Sequence, residues 1–138
     1  MRLNLNGPTM GTRWSVNCDV APDRDPKPLR AALQAAVDLV DAQMSPWKPG
    51  SDLMRLNRAP VDSWVDLPAE MLYVLDRALE ISRLSGGAFD PAVGALVDAW
   101  GFGAVRDEPD AQAIRVAGDS SRCPAHQSLE LDLNAGRA

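Results

Sequence analysis

Thr12-Arg-Trp-Ser-Val-Asn-Cys-Asp-Val20 alternates strictly, with Trp14, Val16, Cys18 and Val20 on one side and Arg13, Ser15, Asn17 and Asp19 on the other. A period of two predicts a half-buried strand. The next stretch, Ala21 to Pro28, holds three prolines and four charges and reads as a solvated connection. From Pro28 to Gln43 the period changes: Leu29, Leu33, Val37, Val40 and Met44 recur at helical spacing, with proline suited to the first turn. An early strand handing over to long helices is the pattern of an α+β domain.

Outward from there, Ser45 to Pro60 carries Pro46, Pro49 and Gly50 and predicts a loop, with one short helical turn at Ser51 to Asn57 capped by Ser51. Val61 to Asp66 reads as a short extended piece. A second long helix is expected over Pro68 to Leu84, through Leu72, Leu75 and Leu79, ended by Gly86 or Gly87 in a left-handed turn. Asp90 followed by Pro91 reads as a cap and first-turn proline opening a shorter third helix, with Val93, Leu96, Val97 and Trp100 on one face and Gly101 and Gly103 at its end. A short helix is expected at Pro109 to Val116, and an irregular stretch at Asp119 to Gln127. Ser128 to Leu133 alternates Leu129, Leu131 and Leu133 against Glu130 and Asp132, which predicts a late strand entering a turn at Asn134-Ala135-Gly136. A strand and hairpin signal with no partner strand after it suggests truncation on the C-terminal side.

Composition narrows the function classes. The chain has 138 residues, 46% of them hydrophobic, enough for one domain with a real core. A net charge of -5 and no basic stripe argue against nucleic acid as a partner. Two distant cysteines, Cys18 and Cys123, and the single His126 suggest neither a disulfide framework nor a cysteine or histidine metal site. No apolar run of about 18 residues exists, and Met1 to Pro8 lacks the charged start and greasy stretch of an export signal.

Three ordered blocks then carry a resemblance. They are Gly7-Pro-Thr-Met-Gly-Thr-Arg-Trp-Ser-Val16, Met44-Ser-Pro-Trp-Lys-Pro-Gly-Ser-Asp-Leu-Met-Arg-Leu-Asn57 and Ser85-Gly-Gly-Ala-Phe-Asp-Pro-Ala-Val-Gly-Ala-Leu-Val-Asp-Ala-Trp-Gly-Phe-Gly103. In this order they resemble the FAD:protein FMN transferase family, and the chain is similar to the N-terminal part of its single domain, residues 1–138. The resemblance implies an enzyme that, with magnesium, splits the pyrophosphate of FAD and transfers FMN to a threonine hydroxyl of a partner protein. It also leaves open a relative that mainly hydrolyses FAD, a fragment that only binds it, and a non-catalytic remnant of the fold. By the family's pattern Met10, Trp47, Ala88, Phe89 and Asp90 contact the flavin dinucleotide. Trp47 stands where tyrosine is common, so the hydroxyl of that position is missing.

The residue chemistry is compatible with that assignment. An isoalloxazine ring is flat and apolar on its faces, suited to a rigid aromatic such as Trp47 and a polarizable Met10. Gly86-Gly87-Ala88 lets backbone come close to a ligand, and a helix starting near Pro91 would aim amides at it. Each residue also has a plainer reading: Asp90 as a cap, Phe89 and Met10 as core fillers. Trp47, flanked by prolines, is the hardest to place in a core.

The family's next block, Asp-Leu-x-Gly-Ile-x-Lys-Gly-like, is not matched by Leu131-Asp132-Leu133-Asn134, because Ala135-Gly136-Arg137 follows. Magnesium ligands and the remaining catalytic groups are therefore expected outside this chain, and isolated carboxylates such as Asp98 and Asp107 make no site. On that expectation the chain alone is inactive. Family members are commonly exported and lipid-anchored; this sequence leaves open a removed export segment or a cytoplasmic protein.

Overall fold

The computed structural model describes residues 1–103, 108–119 and 122–138, so Asp107 and residues 120–121 of the 119–127 stretch lie outside the described residues. The architecture is α+β, as the sequence implies: a two-stranded sheet followed by helices. The predicted strand is β2 (Thr12–Asp19). Its partner, β1 (Arg2–Thr9), was not expected from the sequence, and it pairs antiparallel with Leu3 opposite Cys18, Leu5 opposite Val16 and Gly7 opposite Trp14. Met10 and Gly11 form the two-residue connection with φ of 43° and 72°, the positive pair that a type I′ hairpin turn needs. The half-buried face of the hairpin lies on α1 (Pro26–Met44).

That helix starts two residues before the expected Pro28. Asp25 caps it by accepting from the Lys27 amide at 3.0 Å, and Pro26 takes the first turn. Gln34 of α1 ties helix to hairpin: its Oε1 accepts from the Trp14 indole at 2.8 Å and its Nε2 donates to the Pro8 carbonyl at 3.0 Å. Gly7 lies under this pair. A Cβ at Gly7 would lie 2.6 Å from Trp14 Nε1 and 2.8 Å from Cε2, and would meet Gln34 Oε1 as well. Gly7→Ala is therefore expected to cost about 1–3 kcal/mol through overpacking, read as a lower denaturant midpoint at unchanged slope.

Next come α2 (Asp52–Asn57), capped by Ser51 as expected, and α3 (Ala69–Leu84), which no side chain caps. Gly86 and Gly87, with φ of 61° and 84°, end α3 in the left-handed region, and the Gly87 amide donates to the Ser82 carbonyl at 2.8 Å. Two expectations need correction downstream. The third helix, α4 (Gly94–Ala99), begins four residues after Asp90, so Asp90 is not its cap and no helix starts at Pro91. The late segment 128–133 is not an extended strand: Asp132 bridges to Arg137, which also bridges to Asp66. The tight turn closes the chain back on itself before a ladder can form.

α5 (Ala111–Ala117) is capped by Asp110, and α6 (Ala125–Ser128) is a single turn packed on α3 within a stretch read as irregular. Val65 and Ala138 exchange backbone hydrogen bonds of 2.7 and 3.0 Å, the remnant of the extended piece expected at 61–66. Around them Val65, Leu67, Met71, Leu72 and Ala138 form the core, flanked by Met44, Leu53, Leu56, Leu75, Leu129 and Leu131. Among the described residues no helix is long and apolar enough to cross a membrane.

Candidate functional site

Three apolar side chains that the sequence pattern singles out stand in solvent: Met10 is 49% exposed, Trp47 58% and Phe89 45%. Core filling does not account for them. Each is carried by backbone that is fixed independently. Met10 sits at the tip of the β1–β2 turn that Gln34 braces from below.

Trp47 follows α1 in a loop built on two buried serines. Ser45 Oγ accepts from the Trp47 amide at 3.3 Å, and Ser51 Oγ donates to the Ser45 carbonyl at 2.8 Å. Arg58 donates to the Pro49 carbonyl at 2.7 Å, and Lys48 pairs with Asp41 of α1. These bonds fix the loop backbone that carries Trp47 and leave its ring in solvent, with an aromatic face of the kind that can take a flat partner.

Phe89 and its neighbours lie in the turn after α3. Ser85 Oγ donates to the Ser82 carbonyl at 3.2 Å and accepts from the Phe89 amide at 3.0 Å, while the Ala88 amide reaches the Ser85 carbonyl at 3.2 Å. At the end of the turn the Asp90 side chain is only 6% exposed. Its Oδ1 accepts from the amides of Ala92 at 3.0 Å and Ala125 at 3.1 Å, and its Oδ2 pairs with Arg122. Burial pushes this carboxyl up, but the two amides and the Arg122 guanidinium outweigh it and hold it below the usual carboxylate range. These three bonds hold the carboxylate to the turn.

Met10, Trp47 and the Ala88–Asp90 turn are not joined by a hydrogen bond among the described residues, and none of them lines the cleft described next. A cleft of about 590 Å³ is lined instead by Leu53, Leu56, Trp64, Leu75 and Leu129, among others, and meets the turn's flank through Pro91 and Ala92. Nor do three His, Cys, Asp or Glu side chains converge as a cation site among the described residues. Magnesium takes near-octahedral oxygen ligation, so these residues by themselves do not fit it. Gln34, Ser45, Ser51, Ser85, Arg122 and Ala125, which brace the exposed groups, were not singled out for the site from sequence; each acts through tertiary hydrogen bonds or in a turn, without a motif of its own.

A family model described as the ApbE family matches residues 10–136. The chain belongs to the ApbE family. Curated relatives are similar along most of its length: the FAD:protein FMN transferase of Klebsiella pneumoniae is 39% identical over 116 residues, covering 82% of this chain and 33% of the relative. That of Vibrio cholerae is 33% identical over 103 residues, covering 74% and 31%. Among solved structures, the apo flavinyl transferase ApbE of Pseudomonas stutzeri superposes with a TM-score of 0.84 at 28% identity, covering 99% of this chain and 43% of that one. The Vibrio cholerae flavin transferase ApbE gives 0.77 at 29%, covering 85% and 39%. The ApbE relatives are flavin transferases, an enzyme family, and this chain spans about a third of the length of the curated ones. Met10, Trp47 and Ala88 to Asp90 all fall within the matched residues 10–136.

Proposed function

We propose that this chain supplies the flavin-facing part of an FAD:protein FMN transferase, with Met10, Trp47, Ala88, Phe89 and Asp90 forming the flavin-side surface. The observation that carries the reading is the trio of exposed apolar groups on braced turns within ApbE-family blocks. In the complete reaction the pyrophosphate P–O bond of FAD breaks, the FMN phosphorus gains the oxygen of an acceptor protein's threonine, and AMP leaves while the threonine hydroxyl proton is released. Magnesium, for which the described residues offer no cluster, would be held by other parts of the fold that the relatives carry. Since the chain matches only 33% of its Klebsiella relative, binding without turnover is the activity we assign to these 138 residues alone.

The test is a titration with FAD, following anisotropy of the flavin and formation of FMN and AMP. Saturable binding without FMN or AMP is expected. Stacking on an aromatic face contributes about 0.5–1.5 kcal/mol beyond area burial, so Trp47→Ala should weaken binding roughly tenfold. Its melting temperature should stay close to the parent's, since Trp47 is outside the core. FAD that never binds the parent would sink the reading; FMN and AMP released without an acceptor would instead mark a hydrolysing relative.

A further inference from the structure

The turn that presents Ala88 and Phe89 is closed by a residue far away in sequence. Arg122 donates from Nη1 to the Ala92 carbonyl at 2.6 Å and from Nη2 to Asp90 Oδ2, while the neighbouring Ala125 amide reaches Asp90 Oδ1 at 3.1 Å. One planar guanidinium therefore grips both ends of the Asp90–Ala92 segment. That two-point grip needs a fork of separated donors, which arginine has and lysine lacks. Gly87 lies against the same element, since a Cβ there would come within 3.3 Å of Pro124. The segment around 122–125 thus clasps the turn from both sides.

We infer that Arg122 is a positioning residue for flavin binding, fixing the Ala88–Asp90 turn through Asp90 and the Ala92 carbonyl without touching the ligand itself. This rests on the flavin reading of the turn given above. With Asp90 Oδ1 and Oδ2 both bonded within the protein, the turn that presents Ala88 and Phe89 is held fast at its Asp90 end. A turn freed to sample other conformations binds a ligand more weakly in proportion to the fraction of time it is competent.

The experiment compares the parent chain with Arg122→Gln and Arg122→Lys by FAD titration well below their melting temperatures and by amide hydrogen exchange. Arg122→Gln should weaken FAD binding by on the order of tenfold and speed exchange at Ala92 and Ala125. Arg122→Lys, which keeps the charge and loses the fork, should recover only part of both. A folded Arg122→Gln protein with the parent's exchange rates overturns the inference, as does one with faster exchange and the parent's FAD affinity. Parent chain that binds no FAD overturns the flavin reading, and the exchange comparison then still decides whether Arg122 sets the turn.

Discussion

Truncating Met71 to alanine is expected to lower the unfolding free energy by about 2–5 kcal/mol. Met71 is 2% exposed and lies in the cluster with Val65, Leu67, Leu72 and Ala138, where α3 meets the paired segments 65–67 and 136–138. Removing its thioether stem forfeits the transfer of the buried atoms out of water and leaves a cavity that these backbone pairings keep from collapsing. The control is on the same helix: Tyr73 is 67% exposed, and Tyr73→Ala should stay within about 0.5 kcal/mol of the parent. Urea unfolding followed by helix signal measures both. A Met71→Ala midpoint no lower than that of Tyr73→Ala would mean that the core does not lie where α3 buries Met71.

The parts of this fold that were legible in sequence are those whose signal is local. Strand β2 announced itself because its side chains alternate, and Ser51 and Gly86 could be assigned from cap chemistry alone. Strand β1 was hidden because Asn4, Asn6, Gly7 and Pro8 have poor strand propensity, and only pairing with β2 makes them extended. The sequence clue was the alternation of Leu3 and Leu5 with Asn4 and Asn6, ahead of Gly11, a residue free to take the positive φ that the turn needs. Leu129 and Leu131 do pack on the core as their alternation suggested, but the turn at 134–136 brings Arg137 back onto Asp132 at once, leaving bridges in place of a strand. Asp90-Pro91 looked like a helix start because the same Asx side chain that caps a helix can accept amides in an isolated turn.

The candidate site divides in the same way. Trp47 was hard to place in a core on sequence grounds, and it is indeed in solvent. Its supports were largely invisible: Ser45 looks like an ordinary loop serine, and Ser51 shows in sequence only as a helix cap, until their burial and mutual hydrogen bonding are seen. Arg122 lies 32 residues from its carboxylate partner and Ala125 lies 35, distances at which a single sequence carries no pairing signal. The family blocks therefore located the groups on display, where local chemistry alone read Met10 and Phe89 as core fillers, and only the fold revealed what holds them still.

Replacing Asp90 shows how much that clasp contributes. Asp90→Ala takes the acceptor from two amides and the partner from Arg122, whose side chain is 35% exposed and so regains water for its charge. The exposed Ala92 amide regains water too, but the Ala125 amide, on a residue 2% exposed, does not, and one buried group left unpaired should cost about 1–3 kcal/mol. Asp90→Asn separates the charge from the shape. Its amide oxygen can still accept from Ala92 and Ala125, but its NH2 would then face the Arg122 donors, so the variant is expected to be less stable than the parent at neutral pH. The folded-state value of the Asp90 carboxyl is depressed relative to an unfolded value near about 4. Its stabilisation is accordingly complete above that unfolded value and is lost as pH falls through the lower folded one. The parent should lose its advantage over Asp90→Asn as the solution is acidified below about pH 4, because protonation converts the parent carboxylate into a neutral group that Arg122 no longer attracts. Urea midpoints of the two proteins at neutral and acid pH measure this directly. A gap that stays constant down the acid limb would show that the carboxylate charge contributes nothing to closing the turn.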